Sequence, residues 1–290
     1  MRRREFLKST PLLAGIPLMW NHAAAHAWSY GDDDETICRK KFDFAVSSRL
    51  REKPINDVII EIGKSFLGTE YVAHTLERPG EEALVINLRG LDCVSFCENS
   101  LVFARCIKKG ATTFDDYKAE LQFIRYRGGI IDGYPSRLHY FSDYIFDNEQ
   151  KRVWRNVTKS LGGVPYRKTV NFMSTHPDSY PQLKQRPAFL SAIRTQEEII
   201  NKRALVHIPK ADVAKVAEKI QSGDVIAITS DIPGMDIAHT GIAIRQDGNL
   251  HFMHAPIMGS KVMITPKTLA EYLAGNKKQL GIMVARPLEP

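Results

Sequence analysis

The sequence predicts an α+β domain in which helices come first and an antiparallel sheet second. Three observations carry this. Apolar residues recur at helical spacing in the first half, at Val58, Ile59, Ile62 and Phe66 and again beyond residue 91. After residue 223 the apolar runs are short and separated by tight turns, the signature of antiparallel strands. No internal repeat is visible, and helices followed by an antiparallel sheet indicate an α+β domain.

Taken in order, residues 28–53 read as a polar lead-in, opened by Asp32-Asp33-Asp34-Glu35. The first helix is expected over Ile55 to Leu67, with Gly68 as its C-cap. Val85 to Leu88 reads as a short strand. A helix opening at Leu91-Asp92-Cys93 runs to about Lys108 and stops at Gly110. Phe114 to Tyr126 predicts another. Residues 127–190, rich in Gly, Pro, Tyr and Asn, read as irregular, with a helix near Ser142. Their aromatic content argues against disorder. Asp224–Thr229, His239–Arg245 and Asn249–His254 read as strands, the last two joined by a hairpin turn at Gln246-Asp247-Gly248. Val262–Ile264 and Ile282–Ala285 add two more. Pro266 to Leu273 fits a helix capped by Thr265.

The chain has 290 residues, 43% apolar and 25% charged. That is enough to bury a core without disulfide staples. Four cysteines, Cys38, Cys93, Cys97 and Cys106, do not make a disulfide scaffold, and neither C-x-x-C nor zinc-knuckle spacing occurs. The net charge is +7, of which residues 1–27 supply +3. The remaining +4 contains no Lys/Arg block of the kind that marks nucleic-acid binding. Residues 1–27 have the layout of a targeting segment. Arg2, Arg3 and Arg4 precede a short apolar stretch, Pro11 to Trp20, and then small residues with A-x-A-like cleavage sites. Arg3-Arg4-Glu5-Phe6-Leu7-Lys8 resembles a twin-arginine signal, which implies export of a folded protein to the bacterial periplasm or exterior. An ordinary secretory signal is the alternative. No later stretch reaches 18 unbroken apolar residues, so no stable membrane insertion is expected. No obligate protein partner is evident. Residues 28–290 are expected to form one catalytic domain.

Cys93 sits where a helix starts, and backbone N–H groups there favour a thiolate. A free cysteine is also often just a small buried apolar residue. A nucleophilic cysteine needs a base, and the base needs an orienting partner. His239 begins one strand and His254 ends the next, so a hairpin about residues 246–248 brings both to one end. His251, an odd number of residues from His254, falls on the other face. Cys93, His239 and His254 could instead hold a zinc ion with an open position, though no fourth ligand is obviously placed. Asp92 either contacts substrate or caps the helix. Tyr134, Arg137, His139 and Tyr140 combine a basic group with aromatics and suit a ligand with a carboxylate and a sugar ring. Alternatively, Leu138 and Phe141 dock this loop and Arg137 forms an internal salt bridge.

These residues resemble a known family. A cysteine opening a helix, a His-X-Gly-Ile strand and a Phe-X-His-Ala strand end are the arrangement of the NlpC-type papain-like cysteine hydrolases of bacterial cell walls. Gly223-Asp224 and Leu67-Gly68-Thr69-Glu70-Tyr71-Val72 are similar to two further segments of that family. Asn87-Leu88-Arg89-Gly90-Leu91-Asp92-Cys93 and Ser136-Arg137-Leu138-His139-Tyr140-Phe141-Ser142 resemble its N-acetylmuramoyl-L-alanine amidase-like branch, formerly a domain of unknown function. The resemblance runs from about residue 50 to the C-terminus. It implies a papain-like core with family-specific loop and helix insertions. Cys93 would be the nucleophile, His239 the base, His254 the orienting residue and Tyr71 an oxyanion donor. The substrate it implies is the amide between N-acetylmuramoyl sugar and L-alanine in peptidoglycan or its fragments, cut without metal or cofactor. Cleavage at a γ-D-glutamyl bond of the stem peptide is the alternative, and a non-catalytic wall-binding module a third. The chain departs from the family pattern at Val94-Ser95 (Ser-Gly in many relatives), Glu70 (usually proline) and Cys97 (commonly aliphatic). The departures leave the triad positions intact, and Cys97 stands as a possible oxidation partner for Cys93.

Overall fold

The computed structural model describes residues 32–257 and 261–290; the expected export segment, residues 1–27, lies outside them. The described elements run in the order α1 (Asp32–Ser47), α2 (Ile55–Lys64), β1 (Glu70–Tyr71), β2 (Gly90–Leu91), α3 (Cys93–Lys109), α4 (Phe114–Arg125) and α5 (Phe141–Gln150). Next come β3 (Trp154–Asn156), β4 (Val164–Pro165), α6 (Phe172–Thr175), α7 (Pro181–Gln185), α8 (Pro187–Asn201), β5 (Val206–Pro209) and α9 (Val213–Val216). The chain closes with β6 (Val225–Ser230), β7 (Ile237–Gln246), β8 (Asn249–His254), β9 (Met263–Ile264), α10 (Leu269–Ala274) and β10 (Gln279–Pro287).

The α+β expectation holds. An eight-stranded antiparallel sheet, in the order β4-β5-β10-β6-β7-β8-β9 with β3 also paired to β10, carries helices on both faces. β6 is buried along its whole length and lies at the centre. On one face Ile242, Ile244 and Met253 join the core built by α1 to α5. On the other, Ala243 and Phe252 pack with Leu269 and Leu273 of α10. A third cluster, with Tyr134, Tyr140, Met173 and Ile193, holds the segment from α6 to α8 onto the domain. Between β7 and β8, Asp247 and Gly248 both take positive φ, the two-residue turn that matches strand twist.

Several expectations need correction. The polar lead-in is largely helix. Cys38, Phe42 and Ala45 of α1 form a narrow buried stripe, and Phe42 meets Phe103 edge-on at 5.2 Å. Three apolar positions among acidic and basic neighbours hid that stripe. α2 ends at Lys64 rather than Leu67, capped by Ser65. Val85 to Leu88 is not a strand, although Val85, Ile86 and Leu88 are buried. Side chains take the place of a ladder there: Asp34 accepts from Leu88 N at 3.0 Å, and Asn87 Oδ1 accepts from Gly90 N at 3.0 Å. The last helix starts at Leu269, capped by Thr268 with Glu271, three residues beyond the expected Thr265 cap. Thr265 Oγ1 instead accepts from Phe252 N. α8, within and beyond the stretch read as irregular, was not anticipated.

Candidate active site

The start of α3 is fixed by two local devices. Asp92 Oδ1 accepts from Ser95 N at 2.7 Å and Ser95 Oγ accepts from Asp92 N at 2.9 Å, a reciprocal capping box. That engages Asp92 as the cap. Upstream, the short parallel pairing of β1 with β2 sets Tyr71 opposite Leu91, two residues before Cys93. Cys93 is therefore the first residue of the helix, where N–H groups lack intrahelical partners.

The histidines come from the sheet. In the β6–β7 register, Ile228 pairs with His239 and Thr229 with Ile237, so Ala238 is an extra residue. Such a bulge re-aims the neighbouring side chain. His239 Nε2 lies 2.6 Å from His254 Nδ1, the rings nearly perpendicular at 77°. One ring donates and the other accepts. This leaves His239 Nδ1 as the nitrogen for a second partner. Phe252 meets the His239 ring edge-on, and Tyr272 of α10 meets the His254 ring edge-on. Gly241 is required in this frame, because a Cβ there would come within 2.5 Å of the Phe252 ring. Two facing nitrogens at 2.6 Å share a proton and leave no space for a metal ion between them. Among the described residues, no group of three or more His, Cys, Asp or Glu is placed to hold one.

Helix and sheet meet at a cleft of about 490 Å³ that both Cys93 and His239 line. The direct link is Thr240, next to His239, whose Oγ1 donates to Cys93 O at 2.8 Å. No hydrogen bond joins the Cys93 thiol to His239 in this structure. Burial, and then Asp92, push the Cys93 thiol up to about 11, opposed by Thr240. Burial holds His239 down to about 4, and burial plus His239 hold His254 down to about 3. Burial thus opposes either charge formed alone; a thiolate and an imidazolium formed together compensate each other. Burial, then Cys93 and Asp92, push the Tyr71 hydroxyl up to about 12, so it remains a donor.

The remaining expected residues lie on the opposite wall. Arg137, His139 and Tyr140 line the cleft, and Tyr134 is not part of its lining. Arg137 is buried and paired with Glu77 at 2.7 Å, and its Nη1 donates to Leu76 O. Tyr134 donates to Glu77, and Tyr140 donates to Glu197 at 2.6 Å. His139 Nε2 bonds the Tyr134 carbonyl at 2.9 Å. A carbonyl only accepts, so Nε2 carries the proton and Nδ1 a lone pair. Sequence reasoning missed Thr240 and Tyr272. Its place beside His239 on the same strand could have found the first. Nothing in the sequence pointed to Tyr272.

The chain matches the model of the N-acetylmuramoyl-L-alanine amidase-like family over residues 61–282. It belongs to that family. A structure described as a N-acetylmuramoyl-L-alanine amidase from Bacteroides uniformis is 35% identical to this amidase-like chain. The match covers 80% of this chain and 98% of that one, with a TM-score of 0.77. A structure from Bacteroides fragilis, provisionally named a xylanase, is 36% identical, with 78% and 99% covered and a TM-score of 0.74. A Legionella pneumophila protein, 20% identical with a TM-score of 0.65, shows the fold alone. No curated protein matches the chain.

Proposed function

We propose that this amidase-like chain is a cysteine amidase with a papain-like, NlpC-type core. It hydrolyses the amide between N-acetylmuramoyl sugar and L-alanine in peptidoglycan or its fragments. The observation that carries the reading is the His239–His254 contact: it points one histidine nitrogen away from its partner, in the cleft that holds Cys93. His239 Nδ1 takes the Cys93 proton as the sulfur attacks the lactyl carbonyl. The developing oxyanion is met by the Cys93 N–H and the Tyr71 hydroxyl, each such donor being worth roughly 100- to 1000-fold in rate. His239 then gives its proton to the leaving L-alanine amine. Water, deprotonated by His239, hydrolyses the thioester and frees the sugar's carboxylate. His254 orients the ring throughout.

On the opposite wall, Arg137 and Tyr140 act as buttresses for the substrate groove, and His139 offers its Nδ1 lone pair to a substrate N–H or O–H. Residues 1–27 are read as a twin-arginine-type signal, which takes the enzyme to the periplasm or outside the cell. Residues 28–290 are read as one catalytic domain.

Glycoside hydrolysis, suggested by the name of the B. fragilis relative, needs two free carboxyl groups flanking the scissile bond. The carboxylates lining this cleft are engaged. Asp92 caps α3, Glu98 pairs with Arg125 at 2.8 Å, Glu77 holds Arg137, and Asp236 accepts from Ser142 N at 2.7 Å. The amide reading is tested by digesting defined muropeptides and weighing the products. A free peptide beginning with L-alanine, plus the intact sugar, is expected. Sugar still joined to L-alanine and D-glutamate would assign the cut to the γ-D-glutamyl bond, and cleavage between sugars would sink the amidase reading.

A further inference from the structure

Capping fixes the first turn of α3 internally but does not fix it relative to the sheet. Thr240 does. It is the chain neighbour of His239 and lines the same cleft; its hydroxyl reaches the first turn of α3, while the His239 ring meets Phe252 edge-on. Thr240 is buried, and its hydroxyl donates to the Cys93 carbonyl at 2.8 Å. That carbonyl is already the acceptor of an ordinary helical bond from four residues on. The extra bond is therefore not needed to satisfy it, and the hydroxyl is at liberty to turn. Both the hydroxyl and the backbone N–H of Thr240 favour charge on the Cys93 sulfur, and the hydroxyl also acts on the Cys97 thiol behind it.

We propose that Thr240 is a positioning residue for the nucleophile. It ties the Cys93 backbone to the strand that carries the base, and it supplies a hydroxyl that turns from the Cys93 carbonyl to the sulfur as negative charge develops there. Base and tether are consecutive residues on one bulged strand. A shift of β7 therefore moves both together and preserves the spacing between sulfur and imidazole. The proposal rests on the reading of Cys93 as nucleophile and His239 as base.

The test replaces Thr240 by valine, which keeps the shape and removes the hydroxyl. Cys93 alkylation by iodoacetamide is followed across pH, with modified peptides identified by mass spectrometry so that Cys38, Cys97 and Cys106 are scored separately. Thr240→Val is expected to raise the apparent thiol pKa by about one unit and to slow alkylation about ten-fold at neutral pH. Muropeptide kcat should fall by a similar factor with KM unchanged. Thr240→Ser, which restores the hydroxyl, should return both to within about two-fold of wild type. A wild-type alkylation profile in Thr240→Val, or a loss confined to KM, overturns the proposal. If valine prevents folding, judged by circular dichroism, Thr240→Ala is read in the same way. Full hydrolysis by Cys93→Ala would instead overturn the nucleophile reading, and the alkylation comparison would still decide whether Thr240 acts on the sulfur.

Discussion

On the β7–β8 side of the cleft, His239 and His254 bond each other and leave one nitrogen uncommitted. On the far side, Arg137, Tyr134 and Tyr140 point their charges and hydroxyls at Glu77 and Glu197, groups of the protein itself. The first, reactive wall keeps a histidine nitrogen uncommitted, whereas on the second, supporting wall Arg137, Tyr134 and Tyr140 are spent on partners within the protein. Substitutions should separate accordingly: on the reactive wall activity falls first, while on the supporting wall stability falls first.

The largest effect is expected at Cys93 and His239. Cys93→Ala or His239→Ala should lower kcat/KM on a muropeptide at least about 1000-fold, because members of such a unit fail together. For Cys93→Ala, which removes only the sulfur, the thermal midpoint should stay near that of wild type; His239→Ala leaves the buried His254 without its partner and should cost about 1–3 kcal/mol. A large fall in stability with retained specific activity would erase the distinction between the walls. Arg137→Ala is expected to do the reverse. It leaves Glu77 and the buried Glu82 carboxylate without their cation, a loss of about 3–5 kcal/mol for a broken buried pair. At roughly 2–4 °C per kcal/mol for a large domain, calorimetry should show a midpoint lower by about 6 °C or more. Residual activity of the folded fraction should fall far less than in Cys93→Ala. A thousand-fold loss in kcat without loss of stability would move Arg137 to the reactive wall.

What could be read in the sequence follows the same division. The His239–His254 hairpin end and the helix start at Cys93 were legible because period-two patterning, a hairpin turn and a helix opening are local signals; their reading as one triad came from the family resemblance. The supporting wall was not legible. Arg137 finds Glu77 across 60 residues, and Tyr140 finds Glu197 across 57, and no local pattern encodes such pairs. Sequence therefore left Arg137 open between a substrate carboxylate and an internal one. The bulge at Ala238 was equally hidden, since an extra residue shows only against its partner strand. α1 was missed because three apolar positions in a charged segment are enough to dock a helix on α3 but too few to stand out.

The smallest expected effect is in the response to acid, and it probes the desolvation of the reactive wall. Burial holds His239 down to about 4, so its base form persists well below neutral pH. Between pH 7 and pH 5.5, kcat/KM should change by no more than about two-fold. An imidazole titrating at its usual 6.5 would lose about ten-fold over that range. Stability moves differently. The unfolded chain binds protons at its histidines near pH 6.5, whereas the folded chain binds them at His239 only near 4 and at His254 near 3. The unfolded state therefore holds more protons throughout that window, and stability is lost as pH falls from about 6.5 toward 3. Rates at pH 5.5 must accordingly be read on protein shown by circular dichroism to remain folded. An acid limb near pH 6.5 on folded enzyme would mean that His239 is hydrated and charges freely, and the two walls would then differ in partners but not in their access to water.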